Sequence, residues 1–382
     1  VPLLDRIKES TSEVQIAGKG LTWAVDVGRV PSFHALAEGG TLPTADVGSE
    51  AQATSTPKES WGRVQFTKRV MSMSKTNQAA FANVVNRSME KLAERAKENL
   101  GRQLVGNKIT GNNNSGILAR VNVADATVTS LPVDSGSMYH FYEGQTIAIG
   151  TAGELSGGTP DATATVEGVD HASNTLTISS ATVDNNDFIV EGGSNSNAYG
   201  YELTGLDFIV NDEDDDLYGV NTGDFGSWSA HINDNSGVDR NWSSTLMNKT
   251  GYGVKIKGGK FPEVIACHTL TMLEIPEELI NDVRYQAQEI KGGFKRGALR
   301  WMLGDKELEI ITDDFVALGT FYFLSPSDLR RGMTEPLGFL DDDGRNMLRV
   351  ANQVSFEMIF GCIMELVAFR RNTHGKLEDV SV

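Results

Sequence analysis

Residues 211–219 read NDEDDDLYG, with five carboxylates side by side at Asp212, Glu213, Asp214, Asp215 and Asp216. Oxygen donors at this density suggest a hard divalent cation or a general acid/base pair. A calcium loop of the EF-hand kind needs oxygen ligands at positions 1, 3 and 5, a glycine at 6 and a bidentate glutamate at 12. Counted from Asp212, the first three are met by Asp212, Asp214 and Asp216. Leu217 then stands where the glycine must turn the chain, and Gly223 where the glutamate must close the shell. The EF-hand is excluded. A solvated acidic loop is the expectation, with a weak divalent-cation site as the alternative.

Other chemistry is scarce. No GxGxxG follows a strand, and GKGLTW (18–23) carries only its first half. The phosphate loop GxxxxGK[ST] is absent, and GSWSA (226–230) ends in Ala where a GxSxG elbow needs Gly. His34, His140, His171, His231, His268 and His374 are scattered, with no HExxH and no CxxC. Cys267 and His268 are adjacent in a predicted strand, so they point to opposite faces; a buried thiol beside a half-exposed imidazole is expected, not a dyad. Asp313 and Asp314, and Asp341, Asp342 and Asp343, precede turns and read as solvated. Trp23, Trp61, Trp228, Trp242 and Trp301 form no cluster suited to base stacking. No catalytic residue, cofactor or metal ligand is assigned, and a non-enzymatic role is expected.

The chain has 382 residues, enough for two or three lobes. Two cysteines make no disulfide framework, and no run of 18 apolar residues exists. The opening VPLLDRIKES lacks the apolar centre of a signal peptide. The net charge of −17 is unevenly spread. Residues 1–120 hold 16 basic and 11 acidic side chains, residues 121–239 hold 20 acidic and no Lys or Arg, and residues 240–382 hold 18 and 20. A middle region of that kind repels nucleic acid and anionic membrane and stays soluble. A halophilic or marine origin would push the composition the same way.

The elements must hold these charges in place. Residues 1–20 read as a polar arm. LTWAVDVGRVPSF (21–33) and WGRVQFTKRVMSMS (61–74) favour strand, with Val64, Phe66 and Val70 on one face and Arg63, Gln65, Thr67 and Arg69 on the other. The 27 residues between them, 34–60, are rich in Gly, Pro, Ser, Thr and Ala, which makes a long hairpin with a loose tip. A hairpin alone is marginal in water, so this one must lie on something else, such as another copy of the chain. Residues 77–105 form the clearest helix, with an apolar stripe at Phe81, Val84, Val85, Met89, Leu92, Ala96, Leu100 and Leu104. Thr76 or Asn77 can cap its start, and Gly106 follows its end. It reads as a spine packed on a sheet, with a coiled coil as the alternative. Short strands at 138–149, 161–170, 174–180 and 187–193 make a small β-barrel or sandwich, and GLDFIV (205–210) reads as a strand after it. From Arg240 onward helix and strand alternate irregularly, which gives an α+β class.

This order resembles the major capsid protein of tailed bacteriophages, the Hong Kong 97-like fold. DVGRVPSFHALAEGGTLPTA with the returning WGRVQFTKRVMSMSK looks like that family's E-loop, residues 77–105 its spine helix, and FPEVIACHTLTMLEI and FEMIFGCIMELVAFRRNTHGKL its later strands and helix. The resemblance implies an N-terminal arm at 1–25, an E-loop hairpin at 26–75, spine helix and connector at 76–120, an inserted β domain at 121–204, and the remaining peripheral and axial parts at 205–382. It implies self-assembly through pentamers and hexamers, with a scaffolding protein, a portal, a decoration protein and packaged DNA on the inner face as partners, and no membrane. The place of action is the virion capsid, built in the host cytoplasm. Trp61, Arg63, Lys68 and Arg69 become candidate intersubunit contacts, and Lys58 a conceivable donor for the isopeptide bond some members form. The other readings are an encapsulin-like compartment shell and a secreted carbohydrate-active or carbohydrate-binding β-protein.

Overall fold

The computed structural model describes residues 3–381 except 11–12, 29–34, 37, 39, 43–49, 70–77, 110–111, 124, 135–137, 158, 194–195, 274, 276–299 and 342–346. Most of the hairpin tip, the proposed helix caps Thr76 and Asn77, Val70, and Asp342 and Asp343 therefore lie outside the described residues.

At the centre lies the 14-residue strand Ser355–Ala368, SFEMIFGCIMELVA, nearly all apolar. A strand of this composition must be covered on both faces and both edges. One edge takes Leu329–Phe339, antiparallel, and the other takes Lys58–Thr67 from Ser355↔Thr67 to Met364↔Lys58. The spine helix Gln78–Val105 lies against this sheet. Met89 meets Phe66 and Met358, and Leu100 meets Cys362 and Met364, so the described part of the stripe faces the sheet as its spacing requires. Arg95 and Glu98 pair at 3.4 Å along the helix.

The hairpin strands do not pair as the sequence suggested. Gly20–Asp26 runs antiparallel to Glu50–Ser55, with Gln15–Ala17 beyond it. Lys58–Thr67 instead leaves after Thr56–Pro57 and joins the central sheet. The reason is apolar demand: Trp23, Val25 and Ala53 bury into the main core, whereas Val64 and Phe66 are needed under the spine helix.

Residues 117–193 close into a barrel. Ile117–Arg120 pairs with Phe188–Gly193, which pairs with Thr146–Gly150, then Ala162–Asp170, Thr175–Val183 and Ala126–Pro132. The Val121↔Val133 bridge joins the last to the first. Leu118, Leu131, Ile147, Ile149, Val166, Leu176 and Ile189 fill its interior, each contributing about 1.5–3 kcal/mol. Residues 138–140 are a single 3-10 turn rather than strand.

GLDFIV forms a helical turn, Leu206–Ile209, not a strand. Gly205 explains the change: a Cβ there would sit 2.6 Å from the Val105 carbonyl, so this turn is pressed against the end of the spine helix. Beyond it a mixed six-stranded sheet runs in the order His231–Asn233, Gly375–Leu377, Phe321–Leu324, Val264–Cys267, Lys306–Thr312, Arg300–Leu303. The helix Ser244–Gly258, capped by Ser243 and ended by Gly259 at φ 80°, covers it. Cys267 is buried as expected, His268 is buried rather than half-exposed, and Trp242 meets Trp301 edge-on at 5.8 Å in the core of this lobe.

Candidate intersubunit surface

Alternation along Lys58–Thr67 sorts its side chains. Gly62, Val64 and Phe66 face the spine helix, where a Cβ on Gly62 would lie 2.8 Å from Leu92 Cδ1 and push that side chain aside. Glu59, Trp61, Arg63, Gln65 and Thr67 face outward. Trp61 stays 40% exposed, its indole N–H donating to Glu59 at 3.3 Å. The Arg63 guanidinium stands 3.5 Å from Glu357 with its side chain 71% exposed. A pair this open contributes about 0–1 kcal/mol, so Arg63 can change partners at little cost. Lys68 and Arg69, also exposed, follow the strand, and the Lys68 N–H donates to the Val354 carbonyl at 3.0 Å. Trp61 and Arg63 thus share one face, with the two cations beyond its end. Lys58 is not at a free tip: its half-buried amine donates to the Gly200 carbonyl at 2.6 Å, which occupies the nucleophile the isopeptide reading needs.

This strand, the spine helix and the barrel bound a groove of about 1260 Å³, with Trp61, Leu92, Arg95, Tyr142, Tyr201 and Phe360 among its walls. Tyr201 is 70% exposed at its rim. An aromatic groove rimmed by charge has the composition of an association surface.

Beneath it the barrel is clamped to the helix by charge. Arg102, almost fully buried, donates to Glu202 (2.9 Å from one Nη) and to Glu191 at 3.2 Å. Arg95 stacks over the Tyr142 ring at 3.6 Å, and the Tyr142 hydroxyl donates to Glu191 at 3.1 Å. The cations come from the helix and the anions from the cation-free middle region. Sequence reasoning missed this clamp, although twenty acids with no local cation had to find partners elsewhere.

The acidic run has the same fate in part. Asp212, Asp214 and Asp216 are exposed, but Asp215 is buried between Lys108 (2.9 Å) and Arg371 (3.0 Å), and Glu213 also meets Lys108 at 2.7 Å. The expectation of a wholly solvated loop is corrected here: the run leads into a tight ribbon, Asp216–Leu217 with Val220–Asn221, whose tip must reach the core. Tyr218 and Gly219, both at positive φ, make that turn. The Tyr218 ring meets Trp23 edge-on at 5.0 Å and its hydroxyl donates to the Leu366 carbonyl at 2.6 Å, which holds an otherwise unfavourable backbone.

A polar cavity of about 380 Å³ lies behind this ribbon, lined by Lys108, His140, Asp207, Tyr322 and Lys376 among others. Burial would raise the Asp207 carboxyl, but the Lys376 ammonium at 2.9 Å, the Lys108 N–H and the Tyr322 hydroxyl hold it below its ordinary value. Burial pushes His140 down to about 4 and raises Asp313, which is buried rather than solvated as its sequence context suggested. Among the described residues, Asp161, Asp184 and Asp187 bring carboxyl oxygens within 4.8 Å of one another at one end of the barrel, the grouping best placed to hold a cation. Burial, followed by the neighbouring Glu154 carboxyl and then Asp184, raises Asp161, and burial, followed by the carboxyls of Asp161, Asp184 and Glu154, raises Asp187.

No family model and no curated protein matches this sequence. In fold it is similar to a chain of the cyanophage A-1(L) capsid asymmetric unit at TM-score 0.55 and 12% identity, covering 100% of this chain and 93% of that one. A chain of an empty GTA particle capsid aligns at TM-score 0.49 and 10% identity, over 99% of this chain and 90% of that chain. The encapsulin of Synechococcus elongatus aligns at 0.42 and 8%, over 99% and 87%. The chain therefore has the α+β Hong Kong 97-like capsid fold, with a closed β-barrel set between its spine helix and its later sheets.

Proposed function

We propose that this chain is the major shell subunit of a tailed bacteriophage, many copies of which close into an icosahedral capsid around double-stranded DNA. The observation that carries the reading is the agreement in fold, over the full length, with the cyanophage capsid chain. Within that role Trp61, Arg63, Lys68 and Arg69 are intersubunit contacts, being exposed on the outer face of the Lys58–Thr67 strand and just beyond its end. The divisions at 1–25, 26–75, 76–120, 121–204 and 205–382 are its arm, hairpin, spine, inserted barrel and remaining lobe. Its partners are copies of itself in pentamers and hexamers, a scaffolding protein, a portal, a decoration protein on the outer face, and packaged DNA held without sequence specificity. The role is structural, with no turnover, and its place is the virion, assembled in the host cytoplasm.

Light scattering behind size-exclusion chromatography, with negative-stain images of the same peak, tests this. Closed particles of megadalton mass are expected, alone or once scaffolding protein and portal are supplied. A monomer or dimer that stays unassembled with both present would overturn the reading.

A further inference from the structure

Glu365 lies toward the C-terminal end of the long apolar strand, fully buried. Among the described residues it has no ion-pair partner. Its carboxyl instead joins three separate pieces of the chain. One oxygen accepts from the Thr204 N–H at 2.9 Å, where the chain returns from the barrel, and from the Leu366 N–H at 3.0 Å. The other lies 3.2 Å from the Ser55 hydroxyl, at the last residue of the hairpin strand Glu50–Ser55. Across the sheet stands Gly332, which offers no side chain.

We propose that Glu365 is a proton-operated latch, which fastens the hairpin base and the barrel's return to the central sheet when protonated and loosens them when ionised. As a neutral acid it is fully satisfied: one oxygen accepts both N–H groups and the other donates its proton to Ser55 Oγ. As a carboxylate it keeps every hydrogen bond by accepting from Ser55, but it carries a buried charge that no cation among the described residues pairs with, and opening toward water relieves that cost. The charged and titratable groups facing it are few. Lys58 is committed to the Gly200 carbonyl, and Tyr218 is turned to Leu366 with Arg371 behind it. On the neighbouring segments Glu202 is held by Arg102 and Arg331 by Glu9. Burial lifts the Glu365 carboxyl to about 7, against the pull of the Thr204 and Leu366 N–H groups, Lys58 and Ser55. Because the folded value lies above the unfolded one, the closed joint is favoured at low pH and loses its advantage as pH rises to that value. The latch is a property of one chain and does not depend on the shell reading.

The test is hydrogen exchange of the full chain from pH 5 to pH 8.5, corrected for intrinsic rates, on peptides covering 50–58 and 200–206. In the wild type their protection should fall by up to about tenfold per pH unit up to roughly pH 7 and then level off. Glu365→Gln should flatten that dependence while barrel peptides at 146–150 behave alike in both proteins. The same slope in wild type and Glu365→Gln, or a flat wild type, would overturn the latch. Should Glu365→Gln fail to fold, Ser55→Ala decides: losing a donor that favours the carboxylate should move the levelling point to higher pH. An unmoved levelling point would overturn the proposal.

Discussion

Asp215 and Asp216 are neighbours in one acidic run, yet they are expected to behave as different residues. Asp215→Ala would leave Arg371, fully buried, without its carboxylate and strip Lys108 of one of two, a loss of about 3–5 kcal/mol. Asp216→Asn, on the exposed side of the same run, should stay within about 0.5 kcal/mol. Chemical denaturation followed by tryptophan fluorescence reads both, and equal effects would contradict the burial argument. The sequence excluded a calcium loop here from Leu217 and Gly223 alone, because ligand spacing is local. It could not single out Asp215, since the cations that bury it sit at positions 108 and 371, and no local pattern connects them.

Elements were legible where periodicity was long. The spine helix announced itself over many turns, and the described structure begins it at Gln78 and ends it at Val105. Six-residue segments such as GLDFIV carry too little pattern to tell a buried strand from a helical turn. There the deciding factor was Gly205, whose missing side chain lets the turn meet the helix end. Gly205→Ala would force its Cβ against the Val105 carbonyl and the Gly106 nitrogen at 2.6 and 2.7 Å, costing about 1–3 kcal/mol. Gly193→Ala, whose Cβ would meet nothing within 4 Å, is the control. A shift in denaturation midpoint for the first and none for the second is the expected result. Strand pairing in the hairpin was the larger miss, because pairing is set by which core each strand fills and not by the order in which strands follow one another.

At the scale of the whole molecule, element order in the sequence was enough to suggest the architecture, while the barrel's anchoring was not. The charge of the middle region reads in the sequence as a solvated surface; part of it serves instead to seat the barrel on the spine through Arg102, Glu191 and Glu202. The hairpin can be tested at this scale without disturbing the core, because Asp26 already stands opposite Glu50. Replacing residues 29–48 by a short Gly-Ser link should leave a folded chain by circular dichroism and abolish closed particles in negative stain; normal shells would remove the hairpin from the assembly argument. The central strand Ser355–Ala368 has one more consequence. Its partner Lys58–Thr67 is made about 300 residues earlier, so during synthesis that strand waits with an open edge until Ser355–Ala368 has been made. The barrel closes on contacts within 117–193 and can fold while the ribosome is still working. Translation thus leaves a finished barrel hanging from an unfinished sheet, and the nascent chain is most exposed to aggregation in the interval before Ser355–Ala368 arrives.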